Sequence, residues 1–284
     1  MVRILADSTC DLSPELVERY GIGIIPLYVH LGENEYRDGV DITPEELYRW
    51  SDEHKTTPKT AAPGIEDIQK FLEAGKDTED EFVIFTISSS MSASFNNCRL
   101  AADSLDMTDR VFVIDSANLS TGIGLMVIRA AELAAQGRSG SQIAAQMDQI
   151  RGNVRASFVV DTLEYLHRGG RCSGLSAFMG SVLRLHPKIV VEHGAMRPDH
   201  KYRGHIDSVI LKYVHDMEEA LKKAQPERVF ITHSSCERET VEAVRAYLEG
   251  LGHFDRVIET NAGGVISSHC GPGTLGVLYV DPKE

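Results

Sequence analysis

The sequence predicts an α/β fold of two domains, covering residues 1–153 and 154–284. Three observations lead to this prediction. Short apolar runs alternate with helix-like segments over residues 2–151, which is the pattern of a parallel sheet covered by helices. The best defined run, residues 83–87, is followed by a serine-rich turn and then by helical sequence. The polar stretch Arg151-Gly152-Asn153 separates this half from a second half that opens with another strand.

The elements of the first half follow from local patterns along the chain. Ser13-Pro14 and the capping box Thr43-Pro44-Glu45-Glu46 each start a helix, because Ser and Thr cap helices and Pro fits their first turn. Gly137 ends another helix, and the proline-containing stretch 55–64 is a loop. The predicted strands are 2–6, 22–31, a short one around Tyr36, 83–87 and 111–114. The predicted helices are 14–20, 44–52, 65–74, one from about 96, 121–136 and 139–151.

The second half alternates in a similar way. Strand 156–160 is followed by a short apolar helix at 175–183. A hairpin then pairs 188–192 with 195–202 around the turn His193-Gly194. Residues 206–223 keep apolar side chains at helical spacing, which predicts an amphipathic helix whose apolar stripe belongs to the core. The remaining elements are strand 228–233, helix 237–248, strand 256–260 and strand 275–280.

Composition and charge exclude several classes of function. The 284 residues carry 29 Lys and Arg against 42 Asp and Glu, a formal net charge of −13, which argues against a nucleic acid partner. No apolar run approaches the roughly 20 residues that span a bilayer. The N-terminus reads directly as a strand, so we expect a cytoplasmic protein without stable membrane insertion.

Cysteine and histidine spacing argues against a metal site. The five cysteines lie far apart and form no CxxC pair, which favours free thiols over disulfides or zinc. The histidines His193, His200 and His205 match no common ligand spacing. We therefore expect no bound metal.

A serine-rich turn is the most informative stretch for function. Its serines are Ser88, Ser89, Ser90, Ser92 and Ser94. They lie between a buried strand and a helix start, where free backbone amides and the helix dipole favour an anion. The alternative is a plain helix cap with a polar loop, for which two serines suffice. The strand ends at Ser8-Thr9 and Asp115-Ser116 are expected at the same sheet edge, where α/β proteins bind ligands.

The second informative stretch is residues 267–273, SSHCGPG, in which a histidine precedes a rigid Gly-Pro-Gly turn. His269 is expected either to bind a ligand or to be a structural residue of a capped loop. Serine plus histidine also fits a hydrolase acting on acyl esters through Ser92 and His269, with Asp7 or Asp115 as third member. No GxSxG elbow is present. No GxGxxG motif lies between a predicted strand and the start of a helix, and no P-loop occurs, so no nucleotide cofactor is expected.

Five short motifs, taken in order, resemble those of the DegV family. Each is modest alone, but the five occur in the family's order and cover residues 7–273, nearly the whole chain. The matching stretches are residues 7–12 DSTCDL (DSTxDL in the family), 36–39 YRDG (YxDG), 88–95 SSSMSASF (SSxLSGTY), 163–171 LEYLHRGGR (LxYLxxGGR) and 269–273 HCGPG (HxGPG).

The resemblance implies two α/β domains, the first with a parallel sheet and the second with a mixed sheet, and a ligand between them. It implies that the protein binds one long-chain fatty acid and is not itself an enzyme. Bacterial members serve as the fatty-acid-binding subunit of fatty acid kinase, in phospholipid metabolism. A separate ATP-dependent subunit phosphorylates the bound carboxylate. An interaction module with a structural lipid is a further alternative.

The resemblance also implies which residues hold the fatty acid. Thr60, Ser92 and His269 match the residues that contact its carboxylate. The additional candidates are Ala61, Ser94 and Ser268 near the head group, and Arg171 and Arg203 at the mouth. The two arginines are expected either to neutralise phosphate or dock the kinase subunit, or to form surface ion pairs. The chain departs from the family at Ala61 and Ala62, where Ser and Gln are usual, and at Ala93 and Ser94, where Gly and Thr are usual, which alters the head-group contacts.

The fatty acid tail requires an apolar tunnel. Each buried CH₂ contributes about 0.8 kcal/mol, so a chain of about 16 carbons gains roughly 10 kcal/mol before ordering costs. The candidate tunnel residues, each of which fits plain core packing as well, are Phe95, Phe158, Leu166, Leu175, Phe178, Met179 and Val182.

Overall fold

The first half of the chain alternates between strands and helices much as the sequence predicts. The computed structural model describes residues 1–175 and 185–282. The strands of this half are β1 (Val2–Asp7), β2 (Gly23–Ile25), β3 (Tyr28–Leu31), β4 (Asn34–Arg37), β5 (Lys59–Ala61), β6 (Glu81–Thr86) and β7 (Val111–Asp115). Its helices are α1 (Pro14–Tyr20), α2 (Pro44–His54), α3 (Ile65–Glu73), α4 (Ser94–Ser104), α5 (Thr121–Ala135) and α6 (Gly140–Ile150).

The second half contains the longer strands. These are β8 (Val154–Val159), β9 (Leu185–Glu192), β10 (Ala195–Arg203), β11 (Val229–Ser234), β12 (Val257–Asn261) and β13 (Thr274–Val280). The described helices of this half are α7 (Glu164–Gly169), α8 (Ile206–Asp216), α9 (Glu218–Leu221), α10 (Arg238–Gly250) and α11 (Gly264–Cys270). The predicted helix at 175–183 lies, apart from Leu175, outside the described residues.

A four-stranded parallel sheet forms the centre of the first half, in the order β2-β1-β6-β7. Successive residues of β6 enter two different buried clusters. Val83 and Phe85 lie in one cluster, and Phe82 and Ile84 lie in the other. Both faces of the sheet are therefore buried, which is why this strand is a continuous apolar run rather than an alternating one.

The helix starts of this half follow from their caps. Ser13 Oγ accepts a hydrogen bond from Leu16 N ahead of Pro14, and Gly21 ends α1 in the left-handed conformation. Thr43 and Glu46 form the expected capping box of α2. These local signals are sufficient to place both helices because each satisfies backbone amides that the helix itself leaves free.

Two predictions in this half are wrong. Residues 22–31 form two strands, because Pro26 supplies no amide hydrogen to continue the ladder. β2 joins the parallel sheet, whereas β3 joins a separate antiparallel sheet in the order β4-β3-β5. The predicted loop 55–64 contains β5, which forms through its pairing with β3, a long-range contact with no local signal.

The second half is built on a mixed six-stranded sheet in the order β10-β9-β8-β13-β11-β12. Only the β11–β12 pair is parallel among its pairings. The predicted hairpin is confirmed, with Ala195 opposite Glu192 around His193 and Gly194. The mixed character follows from this hairpin and from β13, which runs antiparallel to both of its neighbours.

The amphipathic helix predicted at 206–223 is divided into α8 and α9. The division falls at Met217, whose amide bonds to Val214 O three residues back and so tightens the turn. Its apolar stripe is core, as predicted: Val209, Ile210, Tyr213, Val214, Met217 and Leu221 are all buried in one cluster.

The two halves share their largest buried cluster. Phe85, Ile123 and Met126 come from the first half, and Phe158 and Leu278 come from the second. The parallel sheet and the three-stranded sheet lie before residue 153, and the mixed sheet lies after it. The division into domains at this residue stays a prediction, and the shared cluster fixes how the two halves face each other around the cavity described next.

Candidate functional site

A small, partly open cavity brings together Thr60, Ser92 and His269. Its volume is about 190 Å³. The rest of its lining is mostly apolar and consists of Leu27, Ala61, Ala62, Ile87, Met91, Ala93, Leu119, Arg171, Met196, Val265, Ile266 and Cys270. Thr60 comes from β5, Ser92 from the serine-rich turn and His269 from α11, so three separate segments of the chain supply these polar groups.

A second, smaller void of about 20 Å³ continues from the first. It shares Leu119, Ile266 and Cys270 with the cavity and reaches Phe158 and Leu278. The two voids together fall below the roughly 300–1,000 Å³ of common ligand pockets.

His269 lies on the last turn of α11, which corrects the prediction that it lies on a rigid loop. Its Nε2 is 2.8 Å from Thr60 Oγ1. Burial, helped by the charge of Arg171, lowers the pKa of His269 from 6.5 to about 4. The imidazole is therefore neutral near pH 7, so it can meet an anion through a hydrogen bond but not through charge.

The surroundings of the ring decide which nitrogen carries the proton. Nδ1 is buried and has no hydrogen-bond partner among the described residues. It packs against Gly169, where an added Cβ would lie 2.3 Å from it. A proton on Nδ1 would be a buried, unpaired donor, which is rare in proteins, so we assign the proton to Nε2. His269 then donates to Thr60 Oγ1, and the Thr60 hydroxyl hydrogen is free to donate into the cavity.

Ser92 and Ser94 form the polar pair next to the start of α4. Their hydroxyl oxygens are 2.9 Å apart, and Ser94 N donates to Ser92 Oγ over 3.3 Å. Ser92 lines the cavity, whereas Ser94 is fully buried. The first amide of α4 is thus bound by Ser92, whereas the next amides receive no side-chain cap from Ala93 and remain near the pair, as the anion-site hypothesis requires.

The other serines of the turn have structural roles. Ser88 Oγ donates to Gly194 O over 2.6 Å, and Ser90 Oγ donates to the same carbonyl. Ser89 Oγ donates to Asp115 Oδ2 over 2.5 Å. Ser88 and Ser90 thus hold this turn to the β9–β10 hairpin, and Ser89 holds it to the end of β7. Of the five serines, Ser92 is the one that lines the cavity.

The remaining candidates are distributed unevenly. Arg171 lines the cavity and donates to Gly169 O over 2.8 Å. Ala61 lines it as well, whereas Ser268 points back into α11 and donates to Gly264 O over 2.7 Å. Arg203 is exposed at the end of β10 and does not line the cavity.

The candidate tunnel residues are also divided. Phe158 borders the smaller void, Leu166 and Leu175 are buried in the shared cluster, and Phe95 is half-buried beneath Arg99. Phe178, Met179 and Val182 lie outside the described residues. Sequence reasoning missed Leu27, Leu119 and Met196, which line the cavity. No local pattern distinguishes these three from other core residues.

A hydrolase triad is not assembled in the described part of the chain. His269 Nε2 faces Thr60 rather than a catalytic serine, and its Nδ1 has no carboxylate partner there. Asp7 accepts hydrogen bonds from Thr9 and Ile87, and Asp115 accepts them from Ser89 and Ala117. Neither aspartate orients the imidazole, which a triad would require.

Residues 1–175 and 185–282 contain neither a cluster of metal ligands nor a helix that could span a membrane. No group of three or more His, Cys, Asp or Glu side chains is placed to hold a metal ion. Within the same ranges no helix has the length and apolar character needed to cross a bilayer.

The fold and the site define a class of α/β protein. Its members have one parallel and one mixed sheet, and hydroxyls and an imidazole lie at one end of an apolar cavity. The chain belongs to the DegV family, because the model of that family of uncharacterised proteins matches residues 1–281. The resemblance inferred from five motifs is therefore confirmed over the whole described chain.

Similar proteins agree in length and in fold. A fatty acid-binding protein of Thermotoga maritima is 32% identical over 284 residues, which is 97% of this chain and 96% of that one. A solved DegV family protein from Thermus thermophilus, described for its fatty acid binding, superposes with a TM-score of 0.89 at 31% identity, covering 99% of each chain. A stearic acid-binding protein from Eubacterium ventriosum gives a TM-score of 0.85 at 28% identity, covering 99% of this chain and 98% of that one.

Proposed function

We propose that this protein binds one long-chain fatty acid, with the carboxylate at Thr60, Ser92 and His269. The observation that carries the proposal is the placement of these three side chains, from three segments, on one mostly apolar cavity. The fatty acid binding described for similar proteins of the family supports the class of ligand.

The chemistry of the head of the cavity suits a carboxylate. Hydroxyl donors at Thr60 and Ser92 and the free amides at the start of α4 supply hydrogen bonds to an anion. Arg171 adds a positive charge to the same wall. A neutral His269 contributes by holding the Thr60 hydroxyl rather than by charge, so the anion is met by oriented donors and one guanidinium.

The bound fatty acid is the substrate of a separate ATP-dependent kinase subunit, and this chain is its non-catalytic carrier in phospholipid metabolism. The absence of an assembled triad among the described residues is consistent with a carrier. Arg171 on the cavity wall and Arg203 on the surface provide positive charge for a developing phosphate or for the kinase. A cytoplasmic location agrees with all five cysteines being free thiols.

Mass spectrometry of the denatured, purified protein tests the proposal directly. We expect release of about one fatty acid per chain, or its uptake from added lipid by stripped protein. Finding neither release nor uptake would contradict it. Formation of an ATP-dependent acyl phosphate only when a kinase subunit is added tests the carrier role separately.

Variants at the head group test the assignment of residues. Thr60→Val and Ser92→Ala each remove a hydroxyl donor, and each should weaken retention by about tenfold or more, the value of one hydrogen bond to a charged group. Ser208→Ala, at an exposed position on α8, is the matched control and should retain the ligand. If both head-group variants retained the ligand as well as the control does, the assignment of the carboxylate to Thr60 and Ser92 would be wrong.

A further inference from the structure

The helix that carries His269 is held at its N-terminus by acids from the other half of the chain. Gly263 N donates to Asp11 Oδ1 over 2.8 Å, and Gly264 N donates to Asp38 Oδ1 over 2.7 Å. The residue before α11, Gly263, has no side chain with which to cap it. The capping groups therefore come from residues 252 and 226 positions away in the sequence.

Both carboxylates are fixed in place. Asp11 is 5% exposed and Asp38 is 2% exposed. Ser120 Oγ donates to the second oxygen of Asp11 over 2.5 Å, and Ser8 Oγ donates to that of Asp38 over 2.8 Å. In each acid one oxygen accepts from the start of α11 and the other accepts from a serine of the first half. A shift of the helix would therefore break one of these hydrogen bonds.

Gly263, before α11, and Gly264, its first residue, both pack closely against these carboxylates. A Cβ at Gly264 would lie 3.0 Å from Asp38 Oδ1, and one at Gly263 would lie 3.2 Å from Asp11 Oδ1. A side chain at either position has to displace a buried carboxylate or the helix itself. The close approach of helix and acids therefore depends on glycine at both positions.

Movement at this end of α11 reaches the cavity. His269 follows Gly264 by five residues, about 7.5 Å along the helix axis. Both ends of α11 are hydrogen-bonded to the first half of the chain. The acids accept hydrogen bonds at its N-terminus, and Thr60 is bonded to His269 near its C-terminus. A rigid helix held at both ends transmits a displacement from one end to the other.

We propose that Asp11 and Asp38 are positioning residues that set the place of His269, and hence the Thr60 hydroxyl, by holding the N-terminus of α11. The predicted effect on the ligand rests on the proposed function, whereas the effect on the imidazole does not. Burial raises the pKa of both acids, and the hydrogen bonds that each accepts from a serine and from the start of α11 act in the opposite direction.

Gly264→Ala tests the contact without changing any charge. The ¹H–¹³C cross-peak of the His269 ring, assigned by its loss in His269→Gln, should shift in this variant. Gly250→Ala is the matched control, because a Cβ there meets nothing within 4 Å. It should leave the cross-peak unchanged. An unchanged cross-peak in Gly264→Ala would overturn the proposal.

A second pair of variants separates positioning from general stability. Asp38→Asn keeps an oxygen that accepts from Gly264 N, and Asp38→Ala removes it. We expect fatty acid retention to survive in the first and to fall by about tenfold in the second. Asp80→Ala, which removes a buried acid paired with Arg3 and the N-terminus, should leave retention unchanged. Equal retention in Asp38→Ala and Asp38→Asn would count against the proposal. If the wild type holds no fatty acid, the proposed function fails, and the His269 cross-peak still decides the positioning.

Discussion

His269 shows how burial changes the role of a residue that the sequence singles out. Its position before Gly-Pro-Gly points to function, but not to its charge. The charge is decided by the packing of the ring against Gly169 and by the nearby Arg171, which together keep the imidazole neutral. A neutral ring can act only as an oriented donor or acceptor, and Thr60 is the partner it has.

The neutral histidine gives stability a defined pH dependence. The unfolded chain takes up a proton near pH 6.5, whereas the folded chain does so only near pH 4. The contribution of His269 is therefore complete above about pH 6.5 and is lost as the pH falls towards 4. The shift corresponds to roughly 3 kcal/mol of unfolding free energy. His269→Gln should remove this loss, as urea unfolding at pH 4.5 and pH 7 would measure.

The unfolding free energies of the wild type and of His269→Gln have to be compared with each other at each pH, because other groups also titrate in this range. Burial raises the pKa of Asp7 to about 6, so its contribution has the opposite sense and is lost as the pH rises through 6. This contribution cancels when the wild type and His269→Gln are compared. Ser208→Ala, an exposed change that alters no titratable group, provides the control and should keep the pH dependence of the wild type. An equal slope in His269→Gln would contradict the assignment of a neutral ring.

Gly169 is a second residue whose role follows from this packing. A Cβ at this position would lie 2.3 Å from His269 Nδ1, so Gly169→Ala forces the ring to move. We expect about 1–3 kcal/mol of lost stability from overpacking, together with weaker fatty acid retention. Gly152→Ala, where a Cβ meets nothing within 4 Å, should show neither effect. Calorimetry and the mass spectrometric assay would measure the two losses, and unchanged values for Gly169→Ala would contradict the ring placement.

At the scale of elements, the sequence predicts the helices and strands whose formation depends on interactions between residues close together in the chain. The caps at Ser13 and Thr43 place α1 and α2 because each satisfies amides within a few residues. β5 escaped prediction because a three-residue strand exists only through its pairing with β3. The cavity itself divides in the same way: Thr60, Ser92 and His269 were found through motifs, whereas Leu119 and Met196 line it through tertiary packing alone.

The link between the serine-rich turn and the β9–β10 hairpin can be tested at Gly194. Its φ is +80°, and a Cβ there would lie 2.7 Å from Ser88 Oγ. Gly137 has nearly the same φ, +79°, but open space around the Cβ position. Both alanine variants incur the cost of a left-handed backbone, so Gly194→Ala should lose about 1–3 kcal/mol more than Gly137→Ala in urea unfolding, from overpacking. Equal losses would show that the serines do not restrain the hairpin.

At the scale of the whole molecule, the cluster shared by the two halves bears on how the chain unfolds. The sequence suggests two domains at residue 153, yet Ile123 and Phe158 lie in one buried cluster. No linear signal reveals such packing, since each half reads as a complete set of strands and helices. The motif order predicted the family and the mixed second sheet, but not the extent to which the halves depend on each other.

We expect the two halves to unfold together. Trp50 is the only tryptophan and lies on α2 in the first half, so its fluorescence reports on that half. Far-ultraviolet circular dichroism reports on both halves. Because the shared cluster joins them, the two urea transitions should coincide, as expected of a two-state protein. A fluorescence transition at a distinctly lower or higher urea concentration would indicate halves that are stable on their own.

The hydrogen bond between Thr60 and His269 joins residues 209 positions apart. A nascent chain emerging from the ribosome can complete the parallel sheet, whose last strand ends at Asp115, long before His269 has been added. A fatty acid bound as proposed above can therefore be captured only after α11 has been made, and a chain truncated before α11 would lack the imidazole of the site.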